Sequence, residues 1–340
     1  MPQPTGSMTT TPEQYRAARE SAAWIDHAGR SRMRVGGPDR AKFLHNLTTN
    51  DIKRLAVGRG CETFVTSPQG KTLAFLVVHA LPDAILLRSD PGGMDLALPH
   101  LRKYGIFDDV AIEDSSAETS EFHVMGPGAA AWLEGVGATL PDEADLSSTT
   151  TTVAGVDVLL VRESPAGIPG FTLIADAEAG ARLAEALRGS GLPALDAEVY
   201  DALRIEAGTP AFGRDVNDRN LPQELDRDPR AISFVKGCYL GQETVARLDA
   251  LGHVNKILRR LVSRPGEPVP PEGVALEAGG KAVGTITSSA TSPGRGAGVA
   301  LGVVRVSHAS PGSTMTWTRP GDAEAFVVTV DDPPLLRTPA

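Results

Sequence analysis

The texture of the chain changes abruptly at Lys256, and that change limits the folds open to it. Beyond it, short β-rich runs at Ile257–Val262, Val274–Leu276, Val283–Thr287, Val299–Val306, Thr314–Thr318 and Ala325–Val330 are separated by Gly, Pro and Ser clusters. Such punctuation predicts a small all-β barrel or sandwich. Before Lys256, helical and extended patterns alternate. Helices are expected at Pro12–Ser21, from Pro38 through the stripe Phe43, Leu44 and Leu47, and at Met94–Tyr104, Pro127–Glu134, Ala179–Arg188 and Ala197–Ala207. The last of these stops at Gly208, a residue suited to a left-handed cap. Strands are expected at Glu62–Thr66, Leu73–His79, Ala84–Arg88, Phe122–Met125, Val156–Val161 and Phe171–Ala175. The fold class is therefore α+β. With 340 residues the chain exceeds a single core, and it divides into a disordered leader (1–11), parts at 12–115 and 116–255, a β-barrel (256–334) and a tail (335–340).

A formal net charge of −9 opposes sequence-independent nucleic-acid binding, which requires a positive field. The longest apolar stretches are broken by His79, Pro82 and Asp83, too short to span a bilayer. Cys61 and Cys238 are the only cysteines. They form no disulfide framework and suit a reducing cytoplasm; Cys61 is expected in the core.

Some apparent motifs have plainer explanations. Gly126-Pro-Gly128 follows a strand and precedes a helix, as in a dinucleotide fingerprint, but no acid-terminated second strand follows. Pro127 as the first helical residue explains it more simply. The histidines never approach zinc-ligand spacing, and no metal site is expected. Glu243 and Arg247, four apart on a helix, read as a solvated ion pair.

The most specific string is Lys236-Gly-Cys238-Tyr-Leu-Gly-Gln-Glu-Thr-Val-Ala-Arg247. In an extended lead-in, residues i and i+2 point the same way, which brings the Lys236 ammonium toward the Cys238 thiol. From Gln242 the string reads as a helix, and a nearby cation and a helix N-terminus both favour thiolate. The same residues also fit an inert cysteine packed beside a helix.

This string resembles the signature of the YgfZ-type folate-binding proteins, relatives of the glycine-cleavage aminomethyltransferase that act in iron–sulfur cluster maintenance. Arg204-Ile-Glu206-Ala-Gly-Thr-Pro-Ala-Phe-Gly213-Arg-Asp215 with Leu221-Pro-Gln-Glu224 is similar to the superfamily's folate-site segment. Gly37–Leu44 with Leu47–Asp51 resembles its N-terminal helix and turn, and Val283–Ser289 with Ala300-Leu-Gly its C-terminal barrel. The likeness runs from about Trp24 to Val330. One departure stands out. The aminomethyltransferase branch carries an acidic pair in the strand after the N-terminal Gly turn, where this chain has Gly70-Lys-Thr-Leu-Ala-Phe-Leu76. Without those acids, proton handling at the reacting amine lacks its group.

The resemblance implies an aminomethyltransferase-like folate-binding fold over the first two parts, with tetrahydrofolate in a central cavity and Cys238 near its mouth. It implies that Tyr200 packs the pterin, that Glu206 accepts the pterin's amino and N–H edge, and that Arg204 binds the folate glutamate or pairs with Glu206. A regular helix puts Tyr200 and Glu206 about 120° apart, so one ligand touches both only by wrapping the helix end. Gln242, Glu243 and Arg247 complete the implied cofactor-binding set, with Cys238 and Lys236 as the reactive pair. The implied partners are iron–sulfur proteins or assembly factors, with indirect effects on tRNA modification and no membrane or direct nucleic-acid contact. A folate-dependent one-carbon transferase or demethylase and a passive folate scaffold are the competing expectations.

Overall fold

The structure is a computed structural model that describes residues 12–252, 254–319, 321 and 324–331. The expected leader and tail lie outside the described residues. In chain order the elements are α1 (Pro12–Glu20), β1 (Ala23–Asp26), β2 (Ser31–Gly36), α2 (Arg40–Leu47), β3 (Gly60–Thr66), β4 (Thr72–Ala80), β5 (Ile85–Ser89), α3 (Ala97–Tyr104) and β6 (Ala111–Asp114). There follow β7 (Thr119–Met125), α4 (Ala129–Gly135), β8 (Ser148–Val153), β9 (Val156–Arg162), β10 (Gly170–Asp176), α5 (Ala177–Gly189), α6 (Ala197–Ala207), α7 (Asp228–Ala231) and α8 (Gln242–Leu251). The last six are β11 (Lys256–Ser263), β12 (Ala275–Ala278), β13 (Lys281–Ser292), β14 (Ala297–Arg305), β15 (Thr314–Thr318) and β16 (Ala325–Asp331).

Two five-stranded antiparallel sheets have orders β3-β4-β5-β2-β6 and β8-β9-β10-β7-β1. The orders reveal an internal repeat. Strand, helix, three-strand meander, helix and closing strand recur, except that the second sheet takes its closing strand, β1, from before the first. The two opening turns match as well. Gly37 and Gly126 both have positive φ, +91° and +124°. A Cβ would strike Asp109 O at 2.3 Å in the first and Ser21 O at 2.5 Å in the second, each just before its sheet's closing strand. The Gly-Pro-Gly string is thus a repeat turn, and Pro127 lies outside α4, whose N-cap is Gly128.

Each sheet buries one face under its own helices. Phe43, Leu44 and Leu101 cover the first, and Leu133, Leu183 and Leu187 the second. Strands β11 to β16 close into a six-stranded barrel, in which β16 returns to pair with β11. Trp317 and Met315 fill it, each 1% exposed. A third core, with Phe64, Phe75, Ile205, Leu225, Val245 and Leu301, welds the first sheet, α6, α8 and the barrel together. Among the described residues no helix is long and apolar enough to cross a membrane.

Candidate functional site

Where the two sheets meet the segment after α6, a cavity of ≈ 240 Å³ opens. Its apolar wall includes Phe75 and Val77 of β4, with Ala207 and Pro210. Its polar wall is dense in charge, and each carboxylate there is already held. Glu62 accepts bonds from Nε of Arg227 and Nε of Arg230, both at 2.8 Å. Asp145 accepts from Arg230 at 2.5 Å. Asp90 accepts from Arg30 at 3.1 Å and from the Phe212 amide at 2.8 Å. Arg88 gives Glu163 bonds of 2.8 and 3.2 Å. Burial pushes the Glu62 and Glu163 carboxyls up, but the guanidiniums outweigh it and hold both below the usual carboxylate range.

Beneath the cavity this wall continues into a buried network joining the sheets. Arg88, fully buried, also bonds Glu121 of β7 at 2.7 Å, and Glu121 receives Arg32 at 3.4 Å. Arg32 and Arg88 are cross-strand partners, and like charges there are tolerated only because Glu121 lies between them. Nη1 of Arg88 donates to Nε2 of His79 at 3.1 Å. Burial, helped by Arg88, pushes His79 down to about 3. Burial also pushes His123 down to about 4.

One donor in the wall is unmet. Arg227 is 5% exposed, and its Nη1 has no acceptor among the described residues. Its guanidinium lies 5.8 Å from the centroid of the Phe75 ring, which stacks on Phe64 at 5.1 Å. A buried donor without an acceptor costs about 1–3 kcal/mol, which a ligand carbonyl or ring nitrogen would recover.

None of the site residues that resemblance singled out lines this cavity. Tyr200 meets His27 edge-on at 4.7 Å; burial pushes its hydroxyl up to about 12, in the field of Arg30, Glu163 and Asp90. Arg204 spends its guanidinium on Asp201 (2.5 Å), Asp215 (2.7 Å), Thr209 O (3.1 Å) and Ser288 (2.8 Å), clamping α6 to the barrel. It does not pair with Glu206. Glu206 instead accepts the Tyr15 hydroxyl at 2.8 Å and pairs with Arg19, both on α1. The helical period explains this: α6 turns Glu206 toward α1, and the chain reaches the cavity only at Ala207 and beyond.

The Cys motif is a bolted surface loop. Nζ of Lys236 donates to the carbonyls of His45 (2.5 Å), Thr48 (2.7 Å) and Asn50 (2.7 Å) at the end of α2. Burial pushes Lys236 down to about 7, while Asp51 and Cys61 draw it back. The lysine thus staples the loop to α2, and its ammonium is committed to backbone oxygens rather than to Cys238. Further bolts are Thr66 Oγ1 to Leu240 O (2.6 Å) and Thr244 Oγ1 to Gln69 O (3.0 Å). Cys238 itself is exposed. Gln242 caps its own loop through the Tyr239 amide at 3.1 Å. Glu243 and Arg247 face solvent on α8. Cys61 is partly buried against the first core, and burial pushes its thiol up to about 12.

Residues 4–232 match the GCVT N-terminal domain and residues 256–335 the glycine cleavage T-protein C-terminal barrel domain. The chain belongs to the glycine cleavage T-protein family. An aminomethyltransferase of Streptomyces avermitilis is 29% identical over 316 residues, covering 88% of this chain and 83% of its own length. The mitochondrial aminomethyltransferase of Gallus gallus is 30% identical over 329 residues, covering 89% and 79%. The crystal structure of aminomethyltransferase T of the glycine cleavage system from Bartonella henselae superposes with a TM-score of 0.82 at 19% identity, over 95% of this chain and 88% of that one. That likeness concerns the fold.

Within this T-protein fold, the strand that follows Gly70 is β4. Leu73, Phe75 and Val77 share one of its faces, and the last two line the cavity. Family members bind tetrahydrofolate, and the donor of Arg227 beside an aromatic face suits such a ligand. The wall arginines went unrecognised in the sequence. Their one signal was the charge-dense string Asp226-Arg-Asp-Pro-Arg230 set between Leu225 and Ala231.

Proposed function

We propose that this chain binds a reduced folate in the central cavity and serves iron–sulfur proteins as an accessory factor, without aminomethyl transfer of its own. The observation that carries this reading is the pairing of one unmet donor, Arg227 Nη1, with wall carboxylates that are all held by guanidiniums. Such a wall binds and orients. Phe75 offers a ring face to a pterin, and Arg227 offers an N–H to its carbonyl or a ring nitrogen. When bound, folate would supply one-carbon carrying capacity at its amine nitrogens. Glu62 and Glu163, held below the usual carboxylate range by their guanidiniums, have no proton to give at neutral pH and are weak bases.

Cys238 supplies the second half of the reading. Its exposed thiol on a fixed loop is open to a partner protein in a reducing cytoplasm, and the loop carries the YgfZ-type string. A cluster needs about four ligands, so partners would provide the remainder, and effects on tRNA modification would pass through cluster-dependent enzymes. Tyr200, Arg204 and Glu206 would act from behind the wall, as supports of α6.

A second reading is a folate-dependent aminomethyltransferase or demethylase, favoured by relatives of that name at about 30% identity. Two measurements on one set of proteins separate the readings. Cys238→Ser should fail to restore cluster-enzyme activity in cells lacking the protein, while the purified variant keeps the native tetrahydrofolate affinity. Loss of both together would refute the division of labour. Methylene-folate formation by the purified native protein would install the second reading.

A further inference from the structure

We propose that the groove between the 211–220 loop and the barrel is a second binding site, for a small molecule that carries a phosphate-type anion. The groove has a volume of ≈ 470 Å³ and draws its cations from three places: Arg214 and Arg219 on the loop, Lys256 on β11 and Arg305 on β14. The chain as a whole carries a net charge of −9, so this concentration of positive charge runs against its average.

The charges within the groove do not cancel. Asp215, its one carboxylate, is buried and spent internally. It accepts bonds from Arg204 (2.7 Å), the Ala211 amide (2.9 Å), Thr287 (2.5 Å) and Ser288 (2.7 Å). Arg214 is tethered to Asp201 at 2.9 Å and to Glu272, and Lys256 to Glu224 at 3.6 Å. Arg219 and Arg305 form no ion pair with the described residues and are exposed. The strand register adds an independent observation. Lys256 and Arg305 are directly opposed across β11 and β14. Like charges in that arrangement repel and destabilise the pair. An anion bridging them removes the penalty, with Thr285, which also lines the groove, as a hydrogen-bonding neighbour. No aromatic ring lines the groove, so recognition rests on charge and hydroxyl groups rather than on stacking. Phosphate, with several acceptor oxygens and about two charges at neutral pH, fits that set.

Calorimetric titration of the whole protein with inorganic pyrophosphate at low ionic strength tests the proposal. Saturable binding is expected, weakened at least tenfold by Arg219→Gln with Arg305→Gln, while tetrahydrofolate affinity stays unchanged. Without anion, Arg305→Gln alone should melt no lower than the native protein, because it relieves the repulsion with Lys256, and it should lose the pyrophosphate-dependent rise in Tm. Three results would overturn the site: no saturable binding, equal affinity in the double variant, or an equal rise in Tm from potassium chloride at matched ionic strength. A tri-γ-glutamate peptide binding more tightly than pyrophosphate would also overturn it, by assigning the groove to polycarboxylates.

Discussion

Replacing Lys236 with Met keeps the side-chain length and removes the ammonium that bonds the carbonyls of His45, Thr48 and Asn50. Hydrogen bonds to a charged group contribute about 1.5–3 kcal/mol each. Against them stands the cost of burial, which pushes Lys236 down to about 7, at about 1.4 kcal/mol per pH unit of displacement. Three such bonds less a burial cost of about 5 kcal/mol leave a net contribution of about 0–4 kcal/mol. For domains of this size 1 kcal/mol moves Tm by about 2–4 °C, so Lys236→Met should melt at or below the native Tm, by about 15 °C at most. The same variant, still folded at 25 °C, should alkylate at Cys238 with the native dependence of rate on pH. Differential scanning calorimetry and iodoacetamide kinetics read the two quantities. A variant of native Tm whose Cys238 reacts tenfold more slowly at neutral pH would refute the staple and restore the activating lysine.

Other consequences follow from the same packing. Arg88→Met leaves buried Glu163 without a guanidinium and Glu121 with only the long bonds of Arg30 and Arg32, and should cost about 3–5 kcal/mol in chemical denaturation, far more than Cys238→Ser, which should stay within about 0.5 kcal/mol. His79 and His123 are held at about 3 and about 4, below their unfolded value. Their contribution is therefore fully present above about pH 6.5 and is lost as acid protonates the unfolded chain first, by about 2 kcal/mol each at pH 5. A denaturation midpoint unchanged between pH 7 and 5 would contradict that. Gly126→Ala puts a Cβ within 2.5 Å of Ser21 O at a left-handed φ and should destabilise by about 2 kcal/mol or more, read from urea unfolding.

The sequence disclosed the barrel and most helices because their patterns are local. Runs such as Thr314–Thr318 are β-rich and end in Gly or Pro, and α6 carries its own stop at Gly208. Strands β1, β2, β6 and β8 escaped notice for physical reasons. Strand β2 reads Ser-Arg-Met-Arg-Val-Gly, polar in sequence, yet Arg32 is 1% exposed because Glu121 and backbone carbonyls receive it. Strand β8 is a threonine-rich edge, and β6 an exposed edge with little apolar content. The repeat stayed hidden because its second copy borrows β1 from before the first. At the site, the i, i+2 spacing aims Lys236 at the Cys238 thiol, whereas its ammonium bonds three carbonyls at the end of α2. Whether an ammonium faces a thiol or three carbonyls depends on α2, some 190 residues away in sequence. The arginine-rich wall assembles from both sheets and the 227–230 turn, a conjunction that local patterns do not record.

Calorimetric titration of tetrahydrofolate into the native protein and into Arg227→Met tests the cavity most directly. Glu62 keeps Arg230 in the variant, so the fold should survive, as circular dichroism would verify. The native protein should bind, and the variant should bind about 10- to 150-fold more weakly, the worth of one hydrogen bond from a charged donor. Equal affinity in the two proteins, or no heat from the native one, would contradict a folate held by that guanidinium.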